Sequence, residues 1–114
     1  TDAGEVVHTG LARIQVEGGV LMGLASALTE RSPLDERGLP RPADLRDLGG
    51  WSSADAPRQE TLLLRPQHGA GPAGLGEVGG IVAAPAVAQA IEAATAAILE
   101  RTPMGPEAVL RAIP

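Results

Sequence analysis

The chain has 114 residues, enough for one small domain, and a net charge of −5 with nine Arg and no Lys. This balance excludes a general nucleic-acid surface, which needs clustered basic residues, and the absence of Cys excludes disulfides, thiolate nucleophiles and Cys-ligated metal sites. Trp51 is the only aromatic residue, so an independent core would be thin.

Two expectations concern the chain as a whole. No apolar run approaches 18 residues without a polar interruption, so we expect no membrane span. Because the first residue is Thr1 rather than Met, we expect a processed chain, a fragment or one piece of a larger assembly.

The first predicted element is a helix over residues 9–30, with Thr9 as its N-cap. Its apolar spacing predicts one buried stripe, formed by Leu11, Ile14, Leu21, Leu24, Ala25 and Leu28. A second face follows i, i+3, i+4, i+7 spacing and consists of Gln15, Gly18, Gly19 and Met22. Its two glycines allow another helix or a ligand to approach closely, and the spacing leaves both alternatives open.

Residues 31–58 are rich in Pro, Asp, Arg and Gly and are predicted to be mostly loop, with a turn at 35–38 that could join two short strands. Trp51 either packs this loop onto the domain or lines a substrate channel. The sequence ETLLLR at 60–65 predicts a short strand, buried on both faces because its apolar run is continuous.

The stretch GAGPAGLGEVGG, residues 69–80, contains the dinucleotide-binding spacing G-x-G-x-x-G. The spacing occurs twice, at Gly69-Gly71-Gly74 and at Gly74-Gly76-Gly79. A Rossmann site also needs a second parallel strand, whereas this chain is predicted to end in a helix. Pro72 interrupts the first match, and the predicted gap from Gly74 to the next helix is too long. We therefore expect no Rossmann site.

Glu77 is the only charged residue in this stretch. If the neighbouring Leu75 and Val78 enclosed its carboxylate, desolvation would raise the pKa of Glu77 and suit it to proton transfer near neutral pH. The alternative is a solvated loop glutamate, and composition alone favours that alternative.

Two helices are predicted to follow. The first covers 84–98, with Pro85 in its first turn, and its predicted core face consists of Ala84, Val87, Ala88, Ile91, Ala94, Thr95 and Ile98. The second is short and runs from Pro106 to about Ile113. The predicted fold is therefore α/β (α+β), with two main helices, short strands and a short C-terminal helix in one unit, 1–114.

The remaining polar residues suggest no further site. His8 and His68 are the only histidines and have no evident third ligand, so we expect no metal site formed by this chain. Glu17 is predicted to be a structural or exposed helix position.

Six stretches occur in a characteristic order: DAGEVVH, QVEGGVLMGLASAL, LDERG, GLGEVGG, APAVAQAIEAAT and TPMGPEAVLRAI. Together they resemble the C-terminal portion of the molybdopterin-binding large subunit of the xanthine dehydrogenase/aldehyde oxidase family. The bacterial isoquinoline 1-oxidoreductase-type beta subunits are the most similar members. The resemblance covers nearly the whole chain.

The resemblance implies a molybdenum hydroxylase, which inserts oxygen from water into a C–H bond of an N-heterocycle or an aldehyde. In such enzymes the glutamate of the G-x-G-E loop is the active-site base, a role that matches Glu77. The glutamine of Q-V-E-G-G lies near the cofactor, which matches Gln15. The loop residues Gly74, Leu75 and Gly76 would contact the pterin through their backbone.

The resemblance also implies cofactors and partners. The cofactor is a molybdenum pterin, with the cytosine dinucleotide form as one option. Iron–sulfur clusters, and FAD or haem in some complexes, belong to partner chains. The expected partners are the remainder of the molybdopterin-binding subunit, an iron–sulfur subunit and a small-molecule substrate, in the bacterial cytoplasm or periplasm. The family's subunit is several times longer, so this chain alone cannot hold the pterin.

Two departures from the family pattern motivate a second hypothesis. Val78 follows the glutamate where the family often has Pro, and Ala73 stands near the position of an upstream Lys or Ser. The chain could therefore be a non-catalytic assembly module of such a complex. A third hypothesis is an unrelated small-molecule binding domain with a glycine-rich lid.

Overall fold

The computed structural model describes residues 2–41, 44–64, 69 and 71–114. Three helices are present in these residues: α1 (Thr9–Leu28), α2 (Val78–Thr95) and α3 (Pro106–Ala112). Strand is scarce in this part of the chain and consists of one antiparallel bridge between Leu34 and Pro40. This bridge closes the turn predicted at 35–38, so the mixed fold class is confirmed with much less strand than expected.

Helix α1 begins where the sequence predicts, but its N-cap is His8 rather than Thr9. His8 has extended backbone geometry, and its Nδ1 accepts a hydrogen bond from the Leu11 N–H at 3.1 Å. The prediction missed this cap because Ser, Thr, Asp and Asn are the usual N-cap residues. The His8 Nδ1 supplies an equivalent acceptor here.

The buried face of α1 differs from the predicted apolar stripe. Leu11 and Ile14 are 62% and 66% exposed, whereas the buried positions are all small: Ala12, Gly23, Ala25 and Ala27. Ala25 belongs to the predicted stripe and is buried as expected. The burial of Gly23 arises from α2, because a Cβ on Gly23 would lie 2.6 Å from the Ala83 Cβ. The predicted thin core is confirmed, since the buried apolar residues of the described chain are five alanines and Met104.

Helix α2 starts six residues earlier than predicted, at Val78 instead of Ala84. Gly79 and Gly80 have low helix propensity, so the sequence does not indicate that the helix begins before them. Their packing against α1 outweighs this low propensity. Pro85 consequently lies inside the helix rather than in its first turn. The helix ends at Thr95, so the predicted extension to Ile98 is also wrong.

The early start of α2 also corrects the interpretation of the glycine loop. The loop does open directly into a helix, so the predicted gap is absent. However, residues 60–64 do not form the expected strand, and Arg65 lies outside the described residues. The strand that a Rossmann site needs before its glycine loop is therefore not formed by the described residues 60–64.

Residues 60–64 instead form an irregular segment that is hydrogen-bonded to α1 at Thr61. The Thr61 hydroxyl donates to Glu17 Oε1 at 2.9 Å, while Leu62 and Leu64 point outward and are exposed. No partner strand is available in the described chain, so the continuous apolar run is not buried on both faces. Glu17 therefore has a structural role, which is one of the two alternatives that the sequence predicted.

The C-terminal segment packs on the end of α1. The Met104 N–H donates to the Ala27 carbonyl at 2.7 Å, and both residues are buried. Helix α3 follows with Pro106 in its first turn, as predicted.

The chain exposes more surface than a self-contained domain of its size. Its accessible surface is 8863 Å², whereas a compact monomer of this mass exposes about 5,800 Å². Its radius of gyration is 17.2 Å, against about 13 Å for a compact chain of this length. Several large apolar side chains on the helices contribute to the excess, notably Leu11, Ile14, Met22, Ile81 and Val82.

Helices α1 and α2 are each long and apolar enough, by length and composition, to cross a membrane. The sequence-based expectation missed this because it required an uninterrupted apolar run. Core helices of soluble proteins have the same length and composition, so these properties do not assign either helix to a membrane.

We predict that Gly49→Ala loosens the loop that packs on the end of α1. Gly49 has φ +77°, and a Cβ there would collide with the Thr29 carbonyl. A left-handed conformation alone costs a non-glycine residue about 1–2 kcal/mol. We therefore expect amide exchange of Arg31 and Gly50, both hydrogen-bonded in this region, to accelerate roughly fivefold to thirtyfold.

Gly38→Ala is the matched control. Gly38 also has φ +77°, but a Cβ added there would have nothing within 4 Å. Exchange at Arg31 and Gly50 should remain unchanged in this variant. Equal effects of the two substitutions would contradict the predicted collision at Gly49.

Candidate functional site

Glu77 lies at the junction between the glycine loop and α2, where it is the N-cap residue. Its carboxylate makes no capping hydrogen bond, and its side chain is exposed. The Glu77 carbonyl instead starts the helix by accepting from Gly80 at 3.0 Å and Ile81 at 3.2 Å. The main chain of Glu77 is therefore fixed while its carboxylate stays free for other interactions.

Gln15 reaches the same loop from α1. Its Nε2 donates to the Gly76 carbonyl at 2.6 Å, across 61 positions of sequence. Gly76 immediately precedes Glu77, so the structure brings together two residues that the resemblance implicated separately. One amide N–H and Oε1 of Gln15 remain available for a further partner.

The backbone of the loop is anchored at one end and open in the middle. The Ala73 N–H donates to the Ala3 carbonyl at 2.9 Å. In contrast, the N–H groups of Gly74, Leu75 and Gly76 have no hydrogen-bond acceptor among the described residues. A Cβ added to Gly74 or Gly76 would have nothing within 4 Å, so this side of the loop is open.

The described chain does not build the predicted apolar enclosure of Glu77. Leu75 and Val78 are half-buried, but Glu77 itself is exposed. The open groove beside the loop has a volume of about 300 Å³ and is lined by Gln15 and Leu75 among others. Enclosure of Glu77 would therefore require surface from outside the described residues.

Val78 is the first residue of α2. Proline is well suited to this position because its missing N–H would have no partner in the helix and its φ is already helical. Since the backbone enters the helix here in either case, Val in place of the family's Pro preserves the geometry that holds Glu77.

A larger groove lies away from these residues, between α1 and the loop at 44–52. Its volume is about 780 Å³, and its lining includes Leu21, Met22, Ala25, Leu45 and Trp51, but neither Gln15 nor Glu77. Trp51 is half-buried there. Gln15 lines the smaller groove, and its hydrogen bond to Gly76 connects that groove to the residue before Glu77. We therefore assign the candidate site to the smaller groove and the adjoining glycine loop.

The loop beside the larger groove leads into a turn in which Asp55 accepts two hydrogen bonds. The backbone N–H and hydroxyl of Ser52 each donate to Asp55 Oδ2 at 2.8 Å and hold the pKa of Asp55 below its ordinary value. Ser52 lines the groove, so this hydrogen-bonded turn helps to shape its wall.

Side chains that could bind a metal are not clustered in the described chain, where no group of three or more His, Asp or Glu occurs. His8 is used as the cap of α1, and His68 lies outside the described residues.

The glycine pairing between α1 and α2 was not predicted. The spacing of α1 placed Gly19 on a face open to close approach, and Gly19 does contact Gly79 and Gly80. The predicted face did not include Gly23, because the prediction followed the apolar stripe in that part of the helix. A repeat of small residues at every fourth position, Gly19, Gly23 and Ala27, was the signal that could have identified this face.

The family of the chain follows from comparison with known proteins. Residues 1–57 match the family model of the molybdopterin cofactor-binding domain. The chain is 35% identical over 112 residues to the membrane-bound aldehyde dehydrogenase [pyrroloquinoline-quinone] of Gluconacetobacter polyoxogenes, and this match covers 98% of the chain and 14% of the relative. It is 32% identical over 110 residues to the xanthine dehydrogenase molybdenum-binding subunit of Escherichia coli O157:H7, covering 93% of the chain and 15% of that subunit.

The fold also matches a solved structure. The quinoline 2-oxidoreductase of Pseudomonas putida 86 superimposes with a TM-score of 0.77 at 25% identity, over 97% of this chain and 15% of that one. The chain thus spans about one seventh of the length of the proteins it matches. The chain belongs to the molybdopterin cofactor-binding domain family, and its resemblance to xanthine dehydrogenase/aldehyde oxidase subunits is confirmed.

Proposed function

We propose that this chain forms part of the active site of a molybdenum hydroxylase and supplies Glu77 as its general base. The hydrogen bond from Gln15 to Gly76 is the observation that carries the proposal. It ties the residue expected beside the cofactor to the residue next to Glu77, whose carboxylate remains free. This arrangement supports a shared role for two parts of the sequence that lie far apart.

The open loop fits a pterin cofactor through backbone donors. The N–H groups of Gly74, Leu75 and Gly76 lack acceptors among the described residues, and the two glycines leave space beside the main chain. Pterin and phosphate groups offer acceptors that such donors can bind. The remaining functional groups of Gln15 would bind the same ligand. The lack of a metal-ligating cluster in the described chain agrees with a metal held through its own pterin.

When bound, the molybdenum cofactor supplies the redox chemistry that oxidises the substrate carbon with a water-derived oxygen. The chain's contribution is proton transfer, with a Glu77 carboxylate oxygen accepting the proton released in that step. A positioned carboxylate can do this without a second carboxylate nearby. The substrate proposed is an N-heterocycle or an aldehyde.

The missing enclosure defines the partners that the site needs. Glu77 is exposed in this chain, and large apolar side chains on both helices are also exposed. We propose that the remainder of a molybdopterin-binding subunit covers these surfaces and completes the cofactor site. An iron–sulfur subunit would receive the electrons, as expected for a multi-chain enzyme of this family.

A non-catalytic assembly module is the second candidate. The observation in its favour is Ala73, which lacks the polar side chain of the Lys or Ser expected upstream of the glutamate. Val78 does not favour this candidate, because it begins α2 as Pro would. The following experiment separates the two candidates.

We predict that Glu77→Gln, in the complete subunit with its partner chains, lowers kcat about 10²- to 10⁴-fold, the range lost with a general base. Gln keeps the size of the side chain but cannot accept the proton. Molybdenum content, together with the nucleotide released by acid, should equal that of the wild type. Turnover and metal content are measured on the same preparation.

Glu92→Gln is the matched control, because Glu92 is an exposed glutamate on the same helix. It should leave kcat unchanged. Unchanged turnover in Glu77→Gln would reject Glu77 as the base and support the assembly module. An intact complex without molybdenum would reject the hydroxylase itself.

A second prediction concerns Gln15. Gln15→Glu replaces the amide donor with a carboxylate, which cannot donate to the Gly76 carbonyl. A hydrogen bond of this kind contributes about 1 kcal/mol. We expect amide exchange at Ala73 and Gly80, which flank the loop, to accelerate roughly fivefold.

The control for this change is Gln89→Glu, which introduces the same charge at an exposed position of α2. Exchange at Ala73 and Gly80 should not respond to it. If both variants behave alike, the change reflects added charge rather than the loss of the bond to Gly76.

A further inference from the structure

We infer that Gly79 is a positioning residue for Glu77: its missing side chain seats the start of α2 directly on the backbone of α1. The catalytic part of this inference, that Gly79 positions Glu77 for its reaction, rests on the proposed function. Its structural part concerns only how the loop is held and can be tested separately.

The contact is between main chains. A Cβ added to Gly79 would collide with the Val16 carbonyl oxygen and lie 2.8 Å from the Val20 nitrogen. Both atoms belong to the α1 backbone, which cannot move aside as a flexible side chain could. Gly79 is buried, two residues after Glu77. Any side chain at this position would therefore push the first turn of α2 away from α1.

The contact belongs to a regular series along α1. Gln15 meets Gly76 by a hydrogen bond of 2.6 Å. One turn later, a Cβ on Gly19 would lie 3.2 Å from the Gly79 Cα and the Gly80 nitrogen. A further turn on, a Cβ on Gly23 would lie 2.6 Å from the Ala83 Cβ and 2.7 Å from the Gly80 oxygen.

This series connects helix packing with the position of the carboxylate. The Gly76 carbonyl can meet Gln15 only if α2 starts close to α1, and Gly79 permits that approach. Glu77 lies between these two fixed points, Gly76 and Gly79. A displacement at Gly79 would therefore move Glu77 relative to Gln15 and to any ligand bound by both.

The test compares Gly79→Ala with wild type in the complete subunit and its partner chains. We expect kcat to fall on the order of a hundredfold, as for an approximately 1 Å misplacement of a catalytic group. KM and molybdenum content should remain unchanged. Amide exchange at Gly80 and Ile81, which donate to the Glu77 carbonyl, should accelerate.

Gly18→Ala is the control for the exchange measurement, because nothing lies within 4 Å of a Cβ there. It should leave exchange at Gly80 and Ile81 unchanged. If Gly79→Ala fails to assemble, Gly19→Ala provides a milder displacement in the same contact. It should change kcat and exchange in the same direction by a smaller amount.

Wild-type exchange at Gly80 and Ile81 in an assembled Gly79→Ala complex would overturn the inference, whatever the activity. Faster exchange with wild-type kcat would also overturn it, provided that Glu77→Gln is inactive. If Glu77→Gln keeps full turnover, the proposed function fails by itself. The exchange data then still decide whether Gly79 holds the loop.

Discussion

The backbone contact between α1 and α2 is the interaction on which the rest of this structure depends. Gly79 is seated against Val16 and Val20, and Gly23 against Gly80 and Ala83. Fully buried aromatic and large aliphatic side chains other than Met104 are absent from the described chain, whose remaining buried apolar residues are alanines. The contact gains dispersion energy through close approach of many main-chain atoms rather than through large buried side chains.

Such a contact contributes more to the accurate placement of the two helices than to the stability of the fold. A core of alanines buries little apolar area, and the accessible surface of 8863 Å² is well above that of a compact monomer. Large apolar residues such as Leu11, Ile81 and Val82 face outward. Apolar surface of this kind is typical of regions that pack against further protein. It also agrees with the small share of each relative that the chain covers.

The contact between α1 and α2 helps to fix the position of Glu77. The main chain of Glu77 is fixed by the start of α2 on one side and by the bond from Gln15 to Gly76 on the other. Its carboxylate is left without a capping role. The proposed role of Glu77 as a proton acceptor would benefit from this combination, since catalysis depends on placement of the group before the reaction begins. Surroundings that would enclose the carboxylate are absent from the described residues.

The sequence by itself determined the features that depend on local composition and on motif order. The start of α1, the turn at 35–38 and the position of α3 follow from residues that lie near one another in the chain. The order of the motifs around Gln15 and Glu77 was sufficient to identify the family, which the comparisons confirm.

Only the tertiary structure decided the start of α2, its pairing with α1 and the meeting of Gln15 with Gly76. Gly79 and Gly80 disfavour a helix locally, yet they permit a contact with residues about sixty positions earlier that outweighs the local preference. Leu11 and Ile14 fit a buried stripe by spacing but are exposed, because close approach selects the face with the smallest residues. Spacing within one helix records which residues share a face, whereas the partner helix decides which face is buried.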